Sequence, residues 1–279
     1  MLYNISIPIC FDYKTLTCYL LDNDKSLKYK DIGGYISCII KKKYDETFHH
    51  IKEKYQYRII EDPFGNNILK MFLDNSLPIH SYPFGYFQNL IYFKEIDSIL
   101  RQEFSLKIPL KPRNEALKKK IASLPNSVFL HVRLGDYVSS AITFGSYVVL
   151  SKTYYQQAVN IIKQRLKQPH IFIFSNDIKW CEDNLRNFID FSDCEVWFVN
   201  ENDEGYAAEE MELMKTCRHA IIANSTFSYF AAYLIDNKDK IVITPNHFFN
   251  DTRKIPNFSM LVQKGWIMID PFWGTYTIA

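Results

Sequence analysis

The chain has 279 residues, 47% hydrophobic and 23% charged, a balance that excludes a disordered segment and leaves room for one large domain or two ordinary ones. Its 33 basic and 31 acidic side chains leave a net charge of +2, without the basic excess that phosphate neutralisation demands of a nucleic-acid binder. Six scattered cysteines with no C-x-x-C pair argue against a zinc site and a disulfide framework. There is no run of about 18 apolar residues and no basic-then-apolar leader. The expectation is a cytoplasmic protein with reduced thiols. Lys41-Lys42-Lys43 and Lys118-Lys119-Lys120 read as solvated faces that would also suit peripheral contact with the inner face of the cytoplasmic membrane.

Taken in chain order, Ile5–Phe11 fits a strand, and Gly85-Tyr86-Phe87-Gln88 a strand end and loop. Ile91–Phe104 carries Phe93, Ile96, Leu100 and Phe104 at helical spacing. Leu106–Arg113, with Pro109 and Pro112, reads as a linker, dividing the chain into domains 1–105 and 106–279. From Ser127 the pattern becomes regular. Ser127–Val132, Ile171–Phe174, Val196–Val199, Ala220–Ala223 and Lys240–Thr244 are short apolar runs. They alternate with helices that start near Ser151, contain Ile178, Cys181 and Leu185, and span Ala207–Cys217 and Thr226–Asp236. Strands alternating with helices predict an α/β fold, a parallel sheet covered on both faces and Rossmann-like in this half. Ligands of such sheets lie beyond the carboxyl ends of the strands.

Three strand exits carry polar clusters. The first is His131-Val132-Arg133-Leu134-Gly135-Asp136, where Gly135 permits a tight turn. Arg133 offers a planar fork for phosphate oxygens, His131 a hydrogen bond to a base or ribose, and Asp136 a proton acceptor or orienting carboxylate. The plain alternative is an Arg133–Asp136 surface pair beside a core histidine. The second exit, Ser175-Asn176-Asp177, is either a helix N-cap or an acceptor for the ring nitrogens of guanine. The third is Asn224-Ser225-Thr226-Phe227-Ser228, where hydroxyls entering a helix make either a cap or a phosphate site. Three such clusters at the carboxyl ends of one sheet favour a nucleotide site over each separate capping explanation.

These same residues resemble a known family. His131–Val138 is similar to the H-x-R-R-G-D-Y-V motif of the α-1,2-fucosyltransferases, glycosyltransferase family 11. Tyr154-Tyr155 and the F-S-N-D-I-K-W of 174–180 resemble its next block, and Leu213–Ser228 resembles L-M-S-x-C-x-H-x-I-I-A-N-S-T-F-S almost residue for residue. Gly85–Gln88 followed by Tyr92-Phe93 looks like its G-Y-F-Q…Y-F segment. The resemblance implies a GT-B architecture of two Rossmann-like domains, 1–105 facing the acceptor and 106–279 holding GDP-fucose. It implies inverting transfer from GDP-β-L-fucose to the 2-hydroxyl of a terminal galactose on a surface glycan, with neither metal nor cofactor. His131 would approach guanine or ribose, Arg133 the β-phosphate, and Ser175 and Asp177 guanine. Asn224, Ser225, Thr226 and Ser228 would serve the diphosphate, and Asp136 would act as base or orienting group.

The sequence departs from the family at three places. Leu134 replaces the second arginine of the motif, and Tyr229-Phe230 replaces a W-W pair. The family's opening strand and G-G-L-G-N-Q loop find no counterpart, since Gly33-Gly34 is followed by Tyr35-Ile36, and Asn4–Ile9 looks like the second strand. The N-terminal domain is therefore expected to be incomplete, and the chain to bind GDP but turn over slowly. A GDP-sugar-binding homologue of weak activity is the alternative this leaves open. A third reading takes Asp22-Asn23-Asp24 as the D-x-D of a metal-dependent GT-A enzyme.

Overall fold

The computed structural model describes residues 58–61, 70–71, 74–76, 81–84, 90, 96–106, 108–134, 147–200, 207–250 and 261–279. The chain divides into two compact units, Met1–Glu95 and Ile96–Ala279. In the first, strands β1 (Arg58–Glu61) and β2 (Ser81–Phe84) pair in parallel, with Arg58 opposite Ser81. The expected strand at Ile5–Phe11, the Gly33-Gly34 segment, the D-N-D triplet and the G-Y-F-Q stretch lie outside the described residues.

The second unit opens with helices α1 (Asp97–Glu103) and α2 (Pro112–Ser123). Leu100 and Phe104 are buried, as the spacing predicts. The division between units thus falls before α1, and the proline-bearing stretch 106–113 runs within the second unit, from α1 into α2. Pro112 sits in the first turn of α2, where its missing N–H removes no helical hydrogen bond.

The alternating elements follow as β3 (Ser127–Val132), α3 (Lys152–Arg165), β4 (His170–Ser175), α4 (Ile178–Phe188), β5 (Glu195–Phe198), α5 (Ala207–Thr216), β6 (His219–Ile221), α6 (Thr226–Leu234) and β7 (Val242–Pro245). Two strands absent from the expectation close the unit, β8 (Ile267–Ile269) and β9 (Tyr276–Ile278). The sheet order is β5-β4-β3-β6-β7-β8-β9, all parallel except the final antiparallel hairpin pair. This is a doubly wound order, and it reverses between β3 and β6.

Burial on both faces explains why the inner strands read as unbroken apolar runs. Val128, Leu130 and Val132 of β3, with Ile171 and Ile173 of β4, pack on one face beneath Tyr154, Ala158 and Ile162 of α3. α5 packs on α2 and on α6. Local caps start the helices of the first face. Ser151 Oγ accepts from the Tyr154 N–H at 3.3 Å to cap α3, and Asp177 Oδ1 accepts from the Trp180 N–H at 3.1 Å to cap α4. α2 is held from a distance. The buried Glu209 of α5 accepts from the Lys111 N–H at 3.1 Å and from Asn114 Nδ2 at 2.6 Å.

The last carbonyls of α6 are met by cations. Arg101 donates to Tyr233 O and Leu234 O, and Lys240 Nζ donates to the carbonyls of Ala232, Tyr233 and Ile235 at 2.8–3.0 Å. Burial, helped by the Arg101 charge and opposed by Asp97 and Asp236, lowers the Lys240 pKa from 10.5 to about 8. The fold therefore favours the neutral amine. Between about pH 8 and 10.5 the native state gives up this proton while the unfolded chain keeps it, so stability from this group rises with pH. The melting-temperature gap between the parent protein and Lys240→Met should widen from pH 8 to 10. A gap that narrows would show that the ammonium charge itself holds α6.

Candidate functional site

The register of the sheet sets the first two exits level. His131 pairs with Phe174 and Val132 with Ser175, so Arg133 and Asn176 leave adjacent strands side by side. Asn176 Oδ1 accepts from the Leu134 N–H at 2.9 Å and ties the two exits together. Ser175 Oγ accepts from the Asp177 N–H at 3.0 Å. Asp177 is exposed while one carboxylate oxygen caps α4.

His131 is only 4% exposed and its Nδ1 has no hydrogen-bond partner. Its carbonyl accepts from Tyr155 Oη at 3.3 Å. Its ring lies 5.8 Å from that of Phe227, in the first turn of α6. This contact brings the β3 exit to the start of α6 at the point where the strand order reverses. Burial first, and then the Arg133 cation, push the His131 pKa down to about 3. The imidazole is neutral at physiological pH, a hydrogen-bonding group rather than a reservoir of charge.

The third exit contains two kinds of residue. Asn224 Nδ2 donates to Val148 O at 2.7 Å and to Phe248 O at 3.0 Å, pinning the β6 exit between the segments before α3 and after β7. Ser228 is fully buried, and its hydroxyl donates to Ala223 O and Ser225 O. Both therefore shape the turn. Ser225 and Thr226 are partly exposed, and Ser225 at the N-cap position makes no side-chain cap. The leading N–H groups of α6 thus receive no side-chain acceptor from the cap, and they carry the positive end of the helix dipole.

Around one switch point the fold collects a guanidinium, a buried neutral imidazole, two hydroxyl residues and a helix N-terminus. That combination suits a phosphorylated, polyanionic ligand. Asp136 lies outside the described residues. Among the described residues, no three His, Cys, Asp or Glu side chains gather as a metal site, and no helix is long and apolar enough to cross a membrane. Sequence reasoning did not single out Asn176, Tyr155 and Phe227 individually. Asn176 sits inside the recognised S-N-D exit, but its tie to Leu134 crosses 42 residues.

Comparison with known proteins places these residues in context. The family model described as Glycosyl transferase family 11 matches residues 30–270. The O-antigen biosynthesis glycosyltransferase WbnK of Escherichia coli is 35% identical over 150 residues, covering 54% of this chain and 47% of the relative. The alpha-1,2-colitosyltransferase of Escherichia coli is 30% identical over 187 residues, 67% of this chain and 61% of the relative. Galactoside alpha-(1,2)-fucosyltransferase 1 of Mus musculus is 29% identical over 185 residues, 64% and 44% respectively. The chain spans about half the length of the curated relatives it matches.

Proposed function

We propose that this chain, which belongs to glycosyltransferase family 11, transfers L-fucose from GDP-β-L-fucose to the 2-hydroxyl of a terminal galactose on a surface glycan, with inversion and without metal. The observation that carries the reading is the meeting of the β3 exit with the uncapped start of α6, marked by the His131–Phe227 contact of 5.8 Å. Arg133 binds the β-phosphate, and Ser225 and Thr226 with the α6 N–H groups hold the diphosphate. Asn224 and Ser228 keep that turn in shape. His131 hydrogen-bonds guanine or ribose through its neutral ring, and Ser175 and Asp177 read the guanine edge.

In the reaction the acceptor oxygen bonds to the anomeric carbon from the face opposite GDP. The carbon–oxygen bond to the β-phosphate breaks, and its electron pair leaves with GDP. The acceptor hydroxyl proton passes to a base, for which Asp136 is the candidate. The guanidinium and helix terminus meet charge that grows as GDP departs, so they favour the transition state over the bound donor.

A second reading changes only the donor sugar. The colitosyltransferase among the relatives, with the wider coverage of this chain, favours a colitosyl donor as the competitor. Product analysis with both donors and a panel of galactose-terminated glycans decides between them. The expected product is an α-fucoside, formed equally well in EDTA. A β-linked product by NMR, or activity abolished by chelation and restored by manganese, would overturn the mechanism.

A further inference from the structure

We propose that Phe272 and Trp273, in the turn between β8 and β9, form a stacking shelf for inner sugar rings of the acceptor glycan, beyond the sugar that reacts. The proposal rests on reading the β3 and β6 exits as the donor site of a glycosyl transfer. Because β8 runs parallel to β7, its carboxyl end, where Asp270 starts the turn, lies on the same rim of the sheet as those exits. From β3 to β8 there are three strand steps, roughly 14 Å along the rim. That separation suits an oligosaccharide that reaches from one place to the other, not a single sugar.

The two rings are large, apolar and in water, with Trp273 81% and Phe272 53% exposed. The backbone that carries them is held firmly. Asp270 Oδ1 accepts from the N–H groups of Phe272 and Trp273, both at 2.9 Å. Asp270 N donates to Thr275 O at 2.8 Å, and Gly274 N to Asp270 O at 3.0 Å. Ser151, the cap of α3, donates its hydroxyl to Pro271 O. Gly274 takes φ +70°, and a Cβ there would lie 3.0 Å from Thr153 Cγ2, so the turn is pressed onto α3. The core needs none of this exposed aromatic surface. A large flat aromatic on a rigid turn suits the C–H face of a pyranose, because the backbone that presents it loses little conformational freedom when a sugar stacks on it. His247, which follows β7 and lies 5.6 Å from the Phe272 ring, places a hydrogen-bonding group beside the shelf for sugar hydroxyls. A lipid surface also attracts exposed aromatics, but Asp270 works against an anionic one. Burial pulls its pKa upward, yet the Trp273 and Phe272 N–H groups outweigh that and keep it below the ordinary carboxylate value, ionised at neutral pH.

The test reads binding rather than turnover. The full chain and Trp273→Ala are titrated by saturation-transfer NMR with methyl β-galactoside and with a tetrasaccharide ending in β-galactose. GDP affinity is measured in parallel by calorimetry. Trp273→Ala should weaken the tetrasaccharide about tenfold and leave methyl β-galactoside, GDP affinity and the melting temperature unchanged. Trp273→Phe should restore most of the loss. The proposal fails if the parent chain does not bind the tetrasaccharide or if Trp273→Ala binds it equally well. It also fails if Trp273→Ala loses only its co-sedimentation with phosphatidylglycerol-containing vesicles, which would assign the aromatics to a membrane. Should the parent chain bind no GDP while tetrasaccharide binding still depends on Trp273, the donor-site reading falls and the shelf stands.

Discussion

Replacing Arg133 by Ala is expected to weaken GDP binding at least about tenfold, some 1.5 kcal/mol, the scale of a charge-assisted hydrogen bond to phosphate. Arg133 leaves β3 beside His131, whose pKa is lowered first by burial and then by the guanidinium charge close by. The start of α6 reaches the same place through Phe227. Arg133→Lys should recover only part of the affinity, because an ammonium is a point charge without the planar fork. The competing explanation makes Arg133 one half of a surface ion pair. Its loss would then cost at most about 1 kcal/mol of stability and leave GDP untouched. Calorimetry on the folded variant separates the two: unchanged GDP affinity removes Arg133 from the donor site.

Asn224→Ala is expected to lower stability by roughly 2–4 kcal/mol, since Val148 O loses its buried donor and Phe248 O loses one of its two. For a protein of this size that is of the order of 5–10 °C in melting temperature. The amide donates to Val148 O and Phe248 O, on two neighbouring segments that the Val148 N–H also joins at 3.1 Å. Removing it frees the turn that aims Ser225 and Thr226, so GDP affinity should fall as a consequence of the loosened frame. Asn224→Asp should be no better, since it keeps the shape but replaces the donor with a carboxylate facing two carbonyls. A variant with an unchanged melting temperature and lost GDP affinity would instead make Asn224 a direct contact to the nucleotide.

Most of the second unit was readable from the amino-acid order alone. Continuous apolar runs such as Ser127–Val132 and Ile171–Phe174 announce strands buried on both faces. Ser151 and Asp177 announce their helices through hydrogen bonds that reach only three residues. α2 escaped because it buries little beyond Asn114 and Ile121, and its start is held by Glu209, nearly a hundred residues away. β8 and β9 escaped because three-residue strands have no period of their own and exist through pairing with β7 and with each other.

The sequence by itself determined the alternation of strands and helices from β3 to β7, the polar character of the three exits, and the likeness to glycosyltransferase family 11 that the comparison with known proteins bears out. Only the tertiary structure decided which exit residues stay open to solvent and which build the frame. Ser225 and Ser228 stand three residues apart in one N-S-T-F-S run, yet Ser225 is partly exposed and Ser228 is buried on backbone carbonyls. The reversal of strand order that brings His131 to Phe227 joins residues 96 positions apart. Spacing along a chain records hydrogen bonds within a turn of helix or a step of strand. The partners of a buried amide or imidazole are supplied by whichever distant segments the sheet sets beside it.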